Sequence, residues 1–109
     1  MVVVRLDGTK NRRQKAGTVT VLPTNNDVWG VEIRIGMSLV KGDFNGARFY
    51  RDQYLELKSR GAPIEAATPR KFSWVDLDAI KVARAWLEGR GDSAKWLAEQ
   101  LALKMVARP

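Results

Sequence analysis

Histidine and cysteine, which carry most proton transfer, thiolate attack and transition-metal binding near neutral pH, are absent from all 109 positions. Any catalysis would fall to carboxylates, lysine, tyrosine or serine alone. The best carboxylate pair is Asp52 and Glu56, four apart and so on one helix face. Arg48 and Arg60 continue that spacing on either side, which predicts a surface ladder of Arg48–Asp52 and Glu56–Arg60 ion pairs. Asp76 and Asp78 diverge on a helix and suit the dipole of its first turn. The segment Lys41-Gly42-Asp43-Phe44-Asn45-Gly46 has glycines but lacks the Gly-Lys-Ser/Thr ending of a phosphate loop, so a strand-to-helix turn explains it better. The expectation is a binding protein and not an enzyme, with no catalytic residues, no metal ligands and no cofactor.

Two clusters have the chemistry of anion recognition. Lys10, Arg12, Arg13 and Lys15 lie around Asn11 and Gln14, between the turn signals Asp7-Gly8 and Ala16-Gly17. Cations of this kind suit phosphate contacts, and the amides suit base edges. Arg70-Lys71-Phe72-Ser73-Trp74 interleaves cations with aromatics, a pattern on which bases stack while cations meet phosphates. Capping already gives Phe72 and Ser73 a structural role, which leaves Arg70 and Lys71 as the candidates there. A third feature is the pair Trp86 and Trp96. Trp86 falls off the apolar stripe of its helix, and tryptophan is enriched at interface hot spots.

Charge sharpens the first of these. The net charge is +7, from 19 basic and 12 acidic residues. Residues 1–45 carry 7 basic and 4 acidic groups, residues 46–73 carry 6 and 3, and residues 74–109 carry 6 and 5. An anionic partner is therefore sought in the first two thirds. Hydrophobic residues at 45% and charged residues at 28% match ordinary globular usage. Arg5 interrupts the opening valines, no apolar run approaches the ~20 residues of a membrane helix, and a cytoplasmic protein without a membrane partner is expected.

The elements that would position these residues change character along the chain. Residues 2–6 are β-branched, residues 18–22 alternate Thr and Val before Pro23, and Thr24-Asn25-Asn26-Asp27 reads as a turn. Over residues 28–37, Trp29, Val31, Ile33 and Ile35 share one face of a strand and Glu32 and Arg34 the other. Arg5 and Arg34 would then sit on wet faces of the sheet. From about residue 45 the period becomes helical. Asn45 is the expected cap, Ala47, Tyr50, Tyr54 and Leu57 form a stripe, and Gly61 closes the helix. Residues 62–72 connect it to a second helix that Ser73 and Asp76 open as a capping box, with Phe72 and Leu77 as a staple. Leu77, Ile80, Ala83 and Leu87 form its stripe. Gly89 ends it, and Asp92 can cap a third helix bearing Trp96, Leu97, Leu101 and Met105.

The fold expected is one α+β domain over residues 1–109, β-rich over about 1–40 and helical over about 45–107. An antiparallel sheet of about three strands would pack on three helices, the last two forming a hairpin. The leading expectation is a small basic protein that binds DNA or RNA electrostatically, through Lys10, Arg12, Arg13 and Lys15 with Arg5, Arg34, Arg70 and Lys71. The alternative is a protein-binding inhibitor or adaptor of the phage or plasmid type. It would dock on a larger nucleic-acid-handling complex, or form a homodimer, through Trp86 and Trp96.

Overall fold

The segment read as a turn before the clearest strand is the start of a helix. In the computed structural model, which describes residues 22–64 and 71–107, the Thr24 hydroxyl accepts from the Asp27 N–H at 3.3 Å. The Asp27 carboxylate accepts from the Thr24 N–H at 2.9 Å. This reciprocal capping box satisfies two orphan donors and launches α1, Asn25–Val40. Three more helices follow: α2, Phe44–Ser59; α3, Trp74–Leu87; and α4, Gly91–Ala107.

The α+β expectation is thus overturned: among the described residues there are four helices and no strand. The strand expected over residues 28–37 lies wholly inside α1. The strands expected at residues 2–6 and 18–21 fall outside the described residues, and Leu22 is non-helical chain. The error has a physical cause. Helix α1 packs against α2, α3 and α4, so it buries more than one side. Val28, Val31 and Ile35 join Tyr54, Ala62 and Ala83 in one core cluster. Ile33, Met37 and Val40 pack on a second cluster formed by Ala79, Val82, Ala98 and Leu101. Each set recurs at helical spacing, and interleaving the two places an apolar residue at every second position. That mimics a strand. Glu32, assigned to a wet face, is fully buried, while Arg34 is exposed as expected but on a helix.

Elsewhere the corrections are local. Asn45 does not cap α2; Asp43 does, accepting from the Gly46 N–H at 2.9 Å, so residues 41–43 form a helix-to-helix turn. Asn45 instead accepts from Arg48 at 2.9 Å, which turns that guanidinium back from the expected partner Asp52. Ser73 caps α3 through the Asp76 N–H at 3.2 Å. Phe72 meets the edge of Trp29, with ring centroids 5.6 Å apart at 80°. Asp92 lies in the first turn of α4, while the Arg90 carbonyl accepts the Ala94 N–H at 2.9 Å.

Helices α2 and α3 end alike. Gly61 (φ 86°) and Gly89 (φ 84°) take the left-handed conformation that a Cβ disfavours. Paired bonds then close each end: Ala62 N–H to Leu57 O with Gly61 N–H to Lys58 O, and Arg90 N–H to Ala85 O with Gly89 N–H to Trp86 O. The second turn joins α3 and α4 into a hairpin. At its far end Asp78 receives Lys104 at 3.2 Å, so the two helices run antiparallel.

Two contacts fix α1 against α3. Arg84 donates from Nε to Glu32 Oε2 at 2.8 Å and from Nη2 to Oε1 at 3.2 Å, neutralising the buried carboxylate. One turn on, Gly36 lets the helices approach so closely that a Cβ there would overlap the Ala79 backbone. Gly30, in the same helix, would place its Cβ in ordinary contact, 3.5 Å from Arg34 Nη1.

Gly36→Ala should therefore destabilise by about 1–3 kcal/mol in urea unfolding, whereas Gly30→Ala should stabilise by up to about 1 kcal/mol. Equal effects at both positions would contradict the close approach. Arg84→Met strands a buried carboxylate and should cost about 3–5 kcal/mol. Combining it with Glu32→Leu should return stability to within about 1 kcal/mol of the original chain. A double variant as unstable as the single one would show that the pair is not the cause.

Candidate docking surface

Helix α4 has two apolar faces, and only one is used by the fold. On the inner face Ala94, Ala98 and Leu101 are buried, with Leu97 and Met105 half-buried beside them. On the outer face Trp96 is 59% exposed, Leu103 64% and Val106 82%. At about 100° per residue, Trp96 and Leu103 lie about 20° apart around the helix and Val106 about 60° further. They form one ridge along α4. The exposed apolar residues of α2 are more dispersed: Phe49 stands about 120° from Leu55 and about 140° from Phe44, while Phe44 and Leu55 share a side but lie at opposite ends of the helix, about 16 Å apart along its axis.

A depression flanks the ridge on each side. Towards α1 and the start of α2 lies a groove of about 520 Å³. Leu39, Val40, Phe44 and Trp86 line it opposite Ala98 and Ala102, while Lys95 and Glu99 stand on its α4 wall. Phe44 is 56% exposed at its mouth. Towards α3 lies an open cleft of about 700 Å³, bounded by Trp96 and by Lys81, Arg84 and Arg90. Three cations beside an indole suggest a site for a phosphorylated base. Their partners argue otherwise. Lys81 is 3.7 Å from Asp78, Arg84 is bound to Glu32, and Arg90 is 3.4 Å from Glu88. An anion would have to displace carboxylates already in place.

The two tryptophans that look alike in the sequence have different roles. Trp86 is half-buried, packs on the first core cluster and shows one edge to the groove. The Arg51 guanidinium lies over its ring, 5.4 Å from the centroid, and the buried Arg51 Nε has no hydrogen-bond partner. Trp86 is thus a wall of the groove. Trp96 is the ridge itself.

Of the residues expected to meet nucleic acid, Arg5, Lys10, Arg12, Arg13, Lys15 and Arg70 fall outside the described residues. Arg34 is exposed on α1, 6.0 Å from the Tyr50 ring centroid, in a polar crevice it shares with Asp27, Glu56 and Arg60. Lys71 is exposed just before the cap of α3. Neither crevice nor cleft collects cations without acids. Among the described residues no group of three or more His, Cys, Asp or Glu is placed to hold a metal, and no helix is long and apolar enough to cross a membrane.

Sequence reasoning missed Phe44, Leu103 and Val106. Their signal was there for α4: Leu103 and Val106 fall off the stripe of Leu97, Leu101 and Met105 but on the face of Trp96. The Glu32–Arg84 pair had no such signal, being 52 residues apart. Comparison of the chain with protein-family models, with curated proteins and with solved structures finds no match.

Proposed function

We propose that this chain is a small non-catalytic docking module that binds another protein surface through the outer ridge of α4 and the groove beside it. The exposed run of Trp96, Leu103 and Val106 carries the reading. Single exposed apolar side chains are ordinary, but three along one side of a helix, with an aromatic anchor beside an apolar groove, suit an interface. The surrounding charge supports it as well. Residues 22–64 and 71–107 hold 12 basic and 10 acidic groups, so the helical body is close to neutral and has little to offer a polyanion. The absence of histidine and cysteine fits binding as the whole of the activity.

A benzoylphenylalanine photo-crosslinker replacing Leu103, in the cells that make this chain, should give a defined protein adduct. The same probe at Lys58, exposed on α2, should not. No adduct at position 103, or equal adducts at both, would overturn the docking reading.

One observation favours a second activity on the same chain. Residues 1–21 hold five basic groups and one acidic group, the largest share of the net charge. That concentration supports phosphate contact through Lys10, Arg12, Arg13 and Lys15, with the helices as the body that carries them. Alanine at Arg12, Arg13 and Lys15 together should lower the slope of log affinity against log salt for duplex DNA by about 3, read by fluorescence anisotropy. An unchanged affinity and slope would remove this activity.

A further inference from the structure

The two flanks of α4 differ in how their charges are used. In the open cleft each cation already holds an acid of this chain: Lys81 with Asp78, Arg84 with Glu32 and Arg90 with Glu88. In the apolar groove the charged lining residues are Lys41, Lys95 and Glu99, and among the described residues none of the three forms an ion pair. We infer that the occupant of the groove is a segment of a partner protein in which one or two carboxylates flank bulky apolar side chains. The inference rests on the docking reading above and names the chemistry of its partner.

The two walls offer the same pair of groups. Lys41 caps the end of α1 and stands just before Phe44, whose ring is exposed at the mouth. Lys95 immediately precedes Trp96 of the ridge, also exposed. Each wall thus presents an ammonium group on a long flexible stem next to an open aromatic ring. Between the walls Leu39, Val40 and Trp86 face alanines of α4. A main chain laid against that lining would leave N–H and C=O groups unpaired, so what enters is apolar side chains.

A cation suits the C-terminal end of α1, and Glu99 lies one turn from Lys95, yet neither lysine meets a carboxylate among the described residues. Apolar side chains filling the groove would expel water from around both ammonium groups. A partner carboxylate beside them restores the lost hydrogen bonds with charge-assisted ones. Two lysines against one acid match a segment with one or two carboxylates; a polyanion would meet Glu99 as well. Rim charges of this kind set association rate and choice of partner, while the apolar anchors hold most of the affinity.

The test uses the full chain in the cells that make it, with benzoylphenylalanine replacing Leu103 or replacing Phe44 at the groove mouth. Both probes should join the same polypeptide, and mass spectrometry of the position-44 adduct should give the segment that enters the groove. Lys41→Glu with Lys95→Glu should lower the position-103 adduct at least about fivefold, while Lys41→Arg with Lys95→Arg should keep it. Lys58→Glu, the same charge change at an exposed site on α2, should also keep it, and Glu99→Gln should not lower it. A synthetic peptide of the captured segment should lose affinity for the original chain when its acids are changed to lysine. The chain carrying Lys41→Glu and Lys95→Glu should then bind that reversed peptide better than the original one does. Such a rescue cannot arise from a folding defect. A position-103 adduct that survives the charge reversal, or a peptide whose acids reverse without loss, overturns the inference and leaves the docking reading standing. Adducts at 44 and 103 that join different polypeptides, or a second copy of this chain, do the same. No adduct at position 103, or one with lipid or nucleic acid in place of protein, overturns both.

Discussion

Because Gly36 lets α1 press against the Ala79 backbone, α3 lies close enough for Arg84 to reach Glu32 with two hydrogen bonds, and the remaining architecture depends on that contact. Helix α1 is the common partner of α2, α3 and α4. Its first core cluster is shared with α2 and α3, and its second with α3 and α4. A larger residue at position 36 would move α3 outward and carry α4 with it through their hairpin. The bulk of Trp29 at one end of α1, held by Phe72, and the absence of any side chain at Gly36 complement each other. One fills a wide gap between segments, and the other permits a narrow one.

That central position is also why the N-terminal half of the described chain was hard to read. Sequence patterns report how many sides of an element are dry, and they distinguish helix from strand clearly only when one side is wet. Helix α2 has one dry side, and Ala47, Tyr50, Tyr54 and Leu57 mark it plainly. The turn glycines Gly61 and Gly89 and the cap at Ser73 were equally legible, because each answers a local backbone need. Helix α1 is dry on two sides, so its two stripes interleave into a false alternation. Thr24 and Asp27 carried the opposing evidence: a Thr followed three residues later by an acid is a helix start as readily as a turn. Tertiary burial then overrode the weak helix propensity of Val28, Val31, Ile33 and Ile35.

The candidate surface was half legible for a related reason. Trp96 could be singled out by type, but its value as an anchor depends on the side of α4 that the fold leaves uncovered. Arg84 illustrates the converse. By type and by cleft it resembles a ligand contact, yet it serves the core, and the carboxylates beside Lys81 and Arg90 likewise neutralise the cleft from within. Apolar exposure on α4, set against charge that is internally balanced, is what separates the two flanks of this helix.

Arg90 belongs to two helices at once: its N–H closes the end of α3 on Ala85, and its carbonyl opens α4 on Ala94. The connection therefore has no slack residue and acts as a phase setting for the last helix. Inserting one residue there would turn α4 by about 100° about its own axis, directing Trp96 inward and Leu101 towards water. The side chains of α4 could all be kept and its outward character still lost. Among related chains, the length of this turn would be a better guide to a shared surface than the identity of the residues on it.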